Sequence, residues 1–185
     1  MRVNHRVVGP LVGGLVLAGT VGAVAAVWMN RGPEPLPALA VETLAPPTGI
    51  SLPARVDGSA FAFDSPVDGQ LGGDLLTVPL AAPPAASSVG LVSVPRSGGF
   101  DSLEHYTDWQ RRHAEDSHVV DDPVVEHSAL GAAVRKDLVM NDGLTITQWA
   151  VEHGDHLYLV EWMHSPDDDT WRPTVEAMIA SWRWS

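Results

Sequence analysis

The sequence predicts an α+β domain, an antiparallel sheet with two helices packed on it, carried behind an N-terminal transmembrane helix. Three observations predict it. An uncharged apolar stretch of 23 residues, 7–29, stands near the start of the chain. Three runs of alternating character, Ala133 to Met140, Leu144 to Val151 and His156 to Met163, are joined by Gly-containing loops. Two stripes at helical spacing flank these runs, one after Asp101 and one after Pro173.

The stretch 7–29 would span roughly 34 Å as a helix, enough for a hydrocarbon core of about 30 Å. Its glycines and its one proline are costly in a soluble helix but common in membrane helices. Arg2 and Arg6 precede it and only Arg31 follows. The positive-inside rule therefore puts residues 1–6 in the cytoplasm and everything after Asn30 outside. Ala23-Val24-Ala25 supplies the alternative, a cleaved secretory signal, and both readings export the rest of the chain. Residues 30–47 hold Pro33, Pro35, Pro37, Pro46 and Pro47 and read as an extended stalk or a spacer.

The domain is expected over 48–185. Thr48 to Leu52 and Ser59 to Phe63 read as a first strand pair, joined near Asp57-Gly58. Asp74 to Leu80 and Val89 to Val94 read as further strands, the second ended by Pro95. Asp101 with Glu104 forms a capping box, and Leu103, Tyr106, Trp109 and Gln110 share the face of the helix that follows. Arg111, Arg112 and His113 fall in its last turn, where positive charge suits the helix dipole. The loops Asn141-Asp142-Gly143 and His153-Gly154-Asp155 make two hairpins of the three alternating runs. In Leu144 to Trp149 the apolar side chains fall on even positions and the polar ones mostly on odd. One face is expected buried, the other solvated or covered by a helix. The last helix starts near Pro173, and Val175, Met178, Ile179 and Trp182 form its apolar stripe.

Charge narrows the function classes. No acid precedes Glu34; from there on, 23 acids face eight bases, a net of −15. Such a body is a poor nucleic-acid binder, because that affinity depends on Lys and Arg neutralising phosphates. It leaves basic partners or cations open. The absence of cysteine excludes disulfides, thiolate metal sites and a thiol nucleophile.

Several stretches resemble the PsbP-like α/β/α sandwich. They are GLVSVP at Gly90 to Pro95, SLEHYTDW at Ser102 to Trp109 and DGLTITQW at Asp142 to Trp149. HLYLVEW at His156 to Trp162 and VEAMIASWRW at Val175 to Trp184 complete the likeness. The fold is shared by the photosystem II subunit PsbP, a small nuclear import factor that binds the GTPase Ran, and exported actinobacterial proteins. The resemblance implies an accessory or binding protein rather than an enzyme. No functional residue of the family maps onto a position here.

Candidate chemistry is sparse. His153 and His156 bracket a turn with Asp155 between them, a set that suits copper or zinc or simply a solvated turn. His105 and His113 share one side of the first helix, as surface histidines do. Asp167-Asp168-Asp169 lacks the spacing of a calcium loop and is explained by the helix start it precedes. No catalytic motif and no cofactor motif is present. Trp109, Trp149, Trp162 and Trp182 fit core positions, whereas Trp171 and Trp184 fit the helical stripe less well, and either is a candidate exposed contact. The expected function is a non-enzymatic, membrane-anchored extracytoplasmic module with a protein partner in the cell envelope. The alternative is an exported binder of a small ligand or metal.

Overall fold

A computed structural model describes residues 37–72, 75–81, 87–113, 122–140 and 143–185. No helix among these residues is long and apolar enough to cross a membrane, and the stretch 7–29 lies outside them. The domain is a mixed α+β fold with two helices, α1 (Leu103–Arg112) and α2 (Arg172–Ala180).

Eleven strands are described. They are β1 (Ala40–Thr43), β2 (Ala54–Asp57), β3 (Phe61–Ser65), β4 (Gln70–Gly72), β5 (Leu75–Ala81) and β6 (Ser87–Pro95). After α1 follow β7 (Val124–Ser128), β8 (Gly131–Val139), β9 (Thr145–His153) and β10 (His156–His164), and after α2 the two-residue β11 (Arg183–Trp184). Eight of them form one sheet in the order β1-β7-β8-β9-β10-β6-β5-β4, and β11-β3-β2 form a second. Every described pair is antiparallel except β1 with β7.

The long strands β8, β9 and β10 form the expected meander. Gly154 takes the left-handed conformation (φ 60) that its tight turn needs, and this sets His156 opposite His153. The register then runs without a slip to the far ends of both strands. The first strand pair lies later than the sequence suggests. Ala54–Asp57 pairs with Phe61–Ser65, and Thr48 to Leu52 forms no strand.

The large sheet is covered on both faces. One face carries Trp149, Val151, Tyr158, Val160, Trp162, Val89 and Val78. Against it pack Val175, Met178 and Ile179 of α2, with Phe61, Phe63 and Trp182 from the second sheet and its approach. Phe63 stacks on Trp182 at 4.8 Å between ring centres, and Trp162 is fully buried. The other face is covered by α1, where Tyr106 meets Ala150, Leu157 and Leu159.

Of the two outcomes expected for the second face of β9, solvation or cover, cover is the one found. Thr145 and Thr147 are buried on the face that α2 and the second sheet cover, and Gln148 is buried on the opposite face, beneath α1. Trp171 packs against the core as a partly buried residue. Trp184 stacks on His153 at 4.2 Å and donates its indole N–H to the Leu130 carbonyl (3.0 Å). Both are half-buried and engaged with the domain's own residues.

The N-terminus of α1 is also built differently. Ser102 is its cap, accepting from the His105 amide (3.1 Å), while Asp101 bonds the His105 ring (2.9 Å). Glu152, from β9, accepts from the Leu103 amide (3.1 Å) and pairs with Arg96, which ties the helix start to the sheet.

Candidate functional site

The predicted histidine turn sits at the β9–β10 hairpin. Its two imidazoles are engaged differently: His156 Nδ1 lies 2.6 Å from Asp155, and the His153 ring stacks on Trp184. The His156 imidazole beside Asp155 holds that carboxyl below its ordinary range. Among the described residues no group of three His, Asp or Glu side chains is arranged to hold a metal ion. His105 pairs with Asp101, and His113 Nδ1 lies 2.7 Å from the Trp109 carbonyl oxygen, so the two are engaged separately. The acidic turn serves α2. Asp168 accepts from the Thr170 amide (3.0 Å) and Asp169 pairs with Arg172 (2.9 Å). His164 was not singled out by spacing. It is buried and stacked on Trp162 at 3.8 Å, with both ring nitrogens occupied, Nδ1 by the Ser165 carbonyl and Nε2 by Thr147.

Two arrangements that the sequence reading did not identify stand out. The first is a buried polar row beneath α1. The hairpin registers put Lys136, Gln148 and Glu161 side by side on β8, β9 and β10, and all three are buried. Tyr106 reaches down from α1 to join them. Lys136 Nζ lies 3.5 Å from the Tyr106 hydroxyl and 4.5 Å from the centre of its ring. That hydroxyl donates to Gln148 Oε1 (2.8 Å), and Gln148 Nε2 donates to Glu161 Oε1 (2.6 Å). Every link donates in the same direction, from ammonium to carboxylate, so each polarises the next. Gln110 adds a second donor to the Tyr106 hydroxyl (2.8 Å), while its own Oε1 is buried without a partner.

Burial dominates the electrostatics here. It brings the Lys136 ammonium down from its ordinary value to about 7, against the opposing pull of Glu161. Burial likewise raises the Glu161 carboxyl, and the Gln148 hydrogen bond and Lys136 only partly offset this. The Tyr106 hydroxyl is raised as well, by burial and then by the Glu161 charge. Perturbed groups of this kind occur at active sites, but they also occur in structural networks. With Lys136 at 3% exposure, a solute reaches the amine only if α1 moves.

The second arrangement is open. Strand β1 lies at one edge of the large sheet and is exposed along its whole length, with Val41 at 65%. Its inner side is satisfied: Thr43 sits opposite His127, and the Leu44 amide donates to the His127 carbonyl (3.0 Å). In a parallel ladder the backbone groups alternate, so those of Glu42 and Leu44 face β7 and those of Val41 and Thr43 face outward. Among the described residues no strand lies on that outer side. A groove of ≈ 330 Å³ continues from the end of the strand, lined by Thr43, Leu44, Pro46, Ala129 and Ala180 among others.

The second half of the expected stalk therefore belongs to the domain. Besides the ladder, Arg135 pairs with Glu42 (2.8 Å) and Arg111 donates to the Pro37 carbonyl (2.8 Å). Arg135 also stands 2.9 Å from the buried Glu126 carboxylate, an ion pair without hydrogen-bond alignment at Nε, and Glu126 accepts the Trp149 indole N–H (2.8 Å).

No family model matches the chain, and no curated protein matches it. Similar solved structures include a Pseudomonas aeruginosa protein of unknown function, 17% identical, with a TM-score of 0.48 over 65% of this chain and 88% of that one. Another, from Bacteroides thetaiotaomicron, is 12% identical, with a TM-score of 0.41 over 68% of this chain and 45% of that one.

Proposed function

We propose that the chain is a non-enzymatic, membrane-anchored interaction module outside the cytoplasm, an accessory subunit of a bacterial envelope complex built on a PsbP-like sandwich. The free outer edge of β1 is the observation that carries this reading. An unpaired edge offers main-chain donors and acceptors to another polypeptide, which is the basis of strand addition. The stretch 7–29 and the arginines before it support the anchor.

The test is a pull-down on a C-terminal tag from membranes solubilised in mild detergent. A stoichiometric partner is expected. It should be lost on deleting residues 37–185 and kept when an unrelated apolar helix replaces 7–29. A protein that comes down alone, or a purified domain with robust hydrolase activity, sinks the reading.

A further inference from the structure

We infer that the occupant of the β1 edge is an extended, basic segment of another protein, which pairs with the backbone of Val41 and Thr43 and seats an apolar side chain in the groove at Leu44, Pro46, Ala129 and Ala180. This rests on the interaction-module reading and names its partner by chemistry.

Charge selects the sign. Most bases of the domain are already spent on the chain's own carboxylates: Arg55 on Asp57, Arg96 on Glu152, Arg135 on Glu42 and Glu126, Arg172 on Asp169, Arg183 on Asp64. Lys136 is buried. With 23 acids against eight bases from Glu34 onward, what remains for a partner is anionic. At the edge itself two carboxylates, the half-exposed Glu42 of β1 and the buried Glu126 of β7, share the single cation Arg135. Glu176 lies close by, its carboxyl raised by burial and by the Glu126 and Asp169 charges despite Arg172 and Arg135. An approaching cationic strand is steered to this edge and an acidic one repelled.

A second copy of this chain is the poorer occupant. It would bring two bodies of net −15 together and set the Glu42 side chains of two identical strands near each other. Pro37 before the strand and Pro46 after it keep the edge short, a device that discourages self-pairing yet leaves a few outward hydrogen bonds for a complementary segment.

Outward and inward backbone groups alternate, so the edge can be blocked without breaking the fold. Val41→Pro removes an N–H that faces outward and leaves the ladder to β7 in place. The probes are two synthetic octapeptides, alternating Lys-Val and alternating Glu-Val, titrated calorimetrically into the full chain held in a non-ionic detergent. The Lys-Val peptide should bind at least about tenfold tighter than the Glu-Val peptide, and Val41→Pro should weaken it by a similar factor. Glu42→Lys, which leaves the backbone edge intact, should weaken it too. Circular dichroism on both variants checks that the domain stays folded.

Equal binding of the two peptides, or Lys-Val binding indifferent to Val41→Pro, overturns the inference. A partner recovered from membranes with equal yield from wild type and Val41→Pro also overturns it, while leaving the interaction-module reading intact. Failure to recover any partner strikes that broader reading instead.

Discussion

The two faces of the large sheet are held in different ways. The α2 face is a continuous apolar and aromatic core. Trp149, Trp162, Phe63 and Trp182 are buried there; the Trp149 indole donates to Glu126 (2.8 Å) and the Trp162 indole to Ser87 (2.9 Å), while the Trp182 indole N–H is buried without a partner. The α1 face has a small apolar cluster and, beside it, the relay of Lys136, Tyr106, Gln148 and Glu161. Apolar burial stabilises in proportion to area and is insensitive to pH. A buried charge pair contributes little net stability, because desolvation offsets the attraction, and it responds to protonation. Stability is therefore concentrated on one face and its pH sensitivity on the other.

The largest expected effect breaks the stronger face. Trp162→Ala should cost about 3–5 kcal/mol in chemical denaturation, the range for truncating a large buried aromatic residue. A loss below about 1 kcal/mol would mean that the α2 face is not the main store of stability.

On the other face, Glu161→Gln should cost about 1–3 kcal/mol, because it leaves Lys136 buried without its counter-charge. The double variant Lys136→Met/Glu161→Gln should be less destabilised than the sum of its singles. Additive costs would show that the relay does not couple the two charges.

The relay should also appear in the pH dependence. The folded Lys136 ammonium is depressed to about 7 while the unfolded one keeps its ordinary 10.5. Between these values the unfolded chain binds more protons, so this group makes stability rise with pH across that window and makes its full unfavourable contribution below it. Lys136→Met should remove that rise, measured as the denaturation midpoint at pH 7 and pH 10. Glu161 acts with the opposite sign: its raised carboxyl favours the folded state as pH falls towards 4.5. A wild-type profile parallel to that of Lys136→Met across the alkaline window would refute the assignment.

The smallest effect belongs to the surface. Arg183 and Asp64 form a two-pronged pair at 3.2 and 2.9 Å, yet Arg183 is exposed and Asp64 partly so, and Arg183→Ala should leave the denaturation midpoint within measurement error.

Much of this was legible in the chain. The meander, both helices and the core tryptophans 149, 162 and 182 follow from alternation, helical spacing and turn residues, all of which are local. The buried row was accessible in part. Once the Gly154 turn sets the hairpin register, Gln148 must lie opposite Glu161, and polar residues aligned on neighbouring strands are a readable signal. That α1 would cover them was not readable, because Lys136 and Glu161 look like ordinary solvated charges in a strand.

By itself, the sequence determined the class of the domain, its acidity, the absence of cysteine chemistry and the positions of its longest strands. These depend on composition and on contacts between near neighbours in the chain. Tertiary structure alone decided that both faces of β9 would be buried, and that Ala40–Thr43 would leave the proline-rich segment to become an edge of the sheet. The pairing of β1 with β7 joins residues more than eighty positions apart in a parallel ladder, and no local pattern encodes it. A four-residue strand among prolines has too little propensity to announce itself. It exists because β7 offers unpaired backbone groups and Arg135 offers Glu42 a charge.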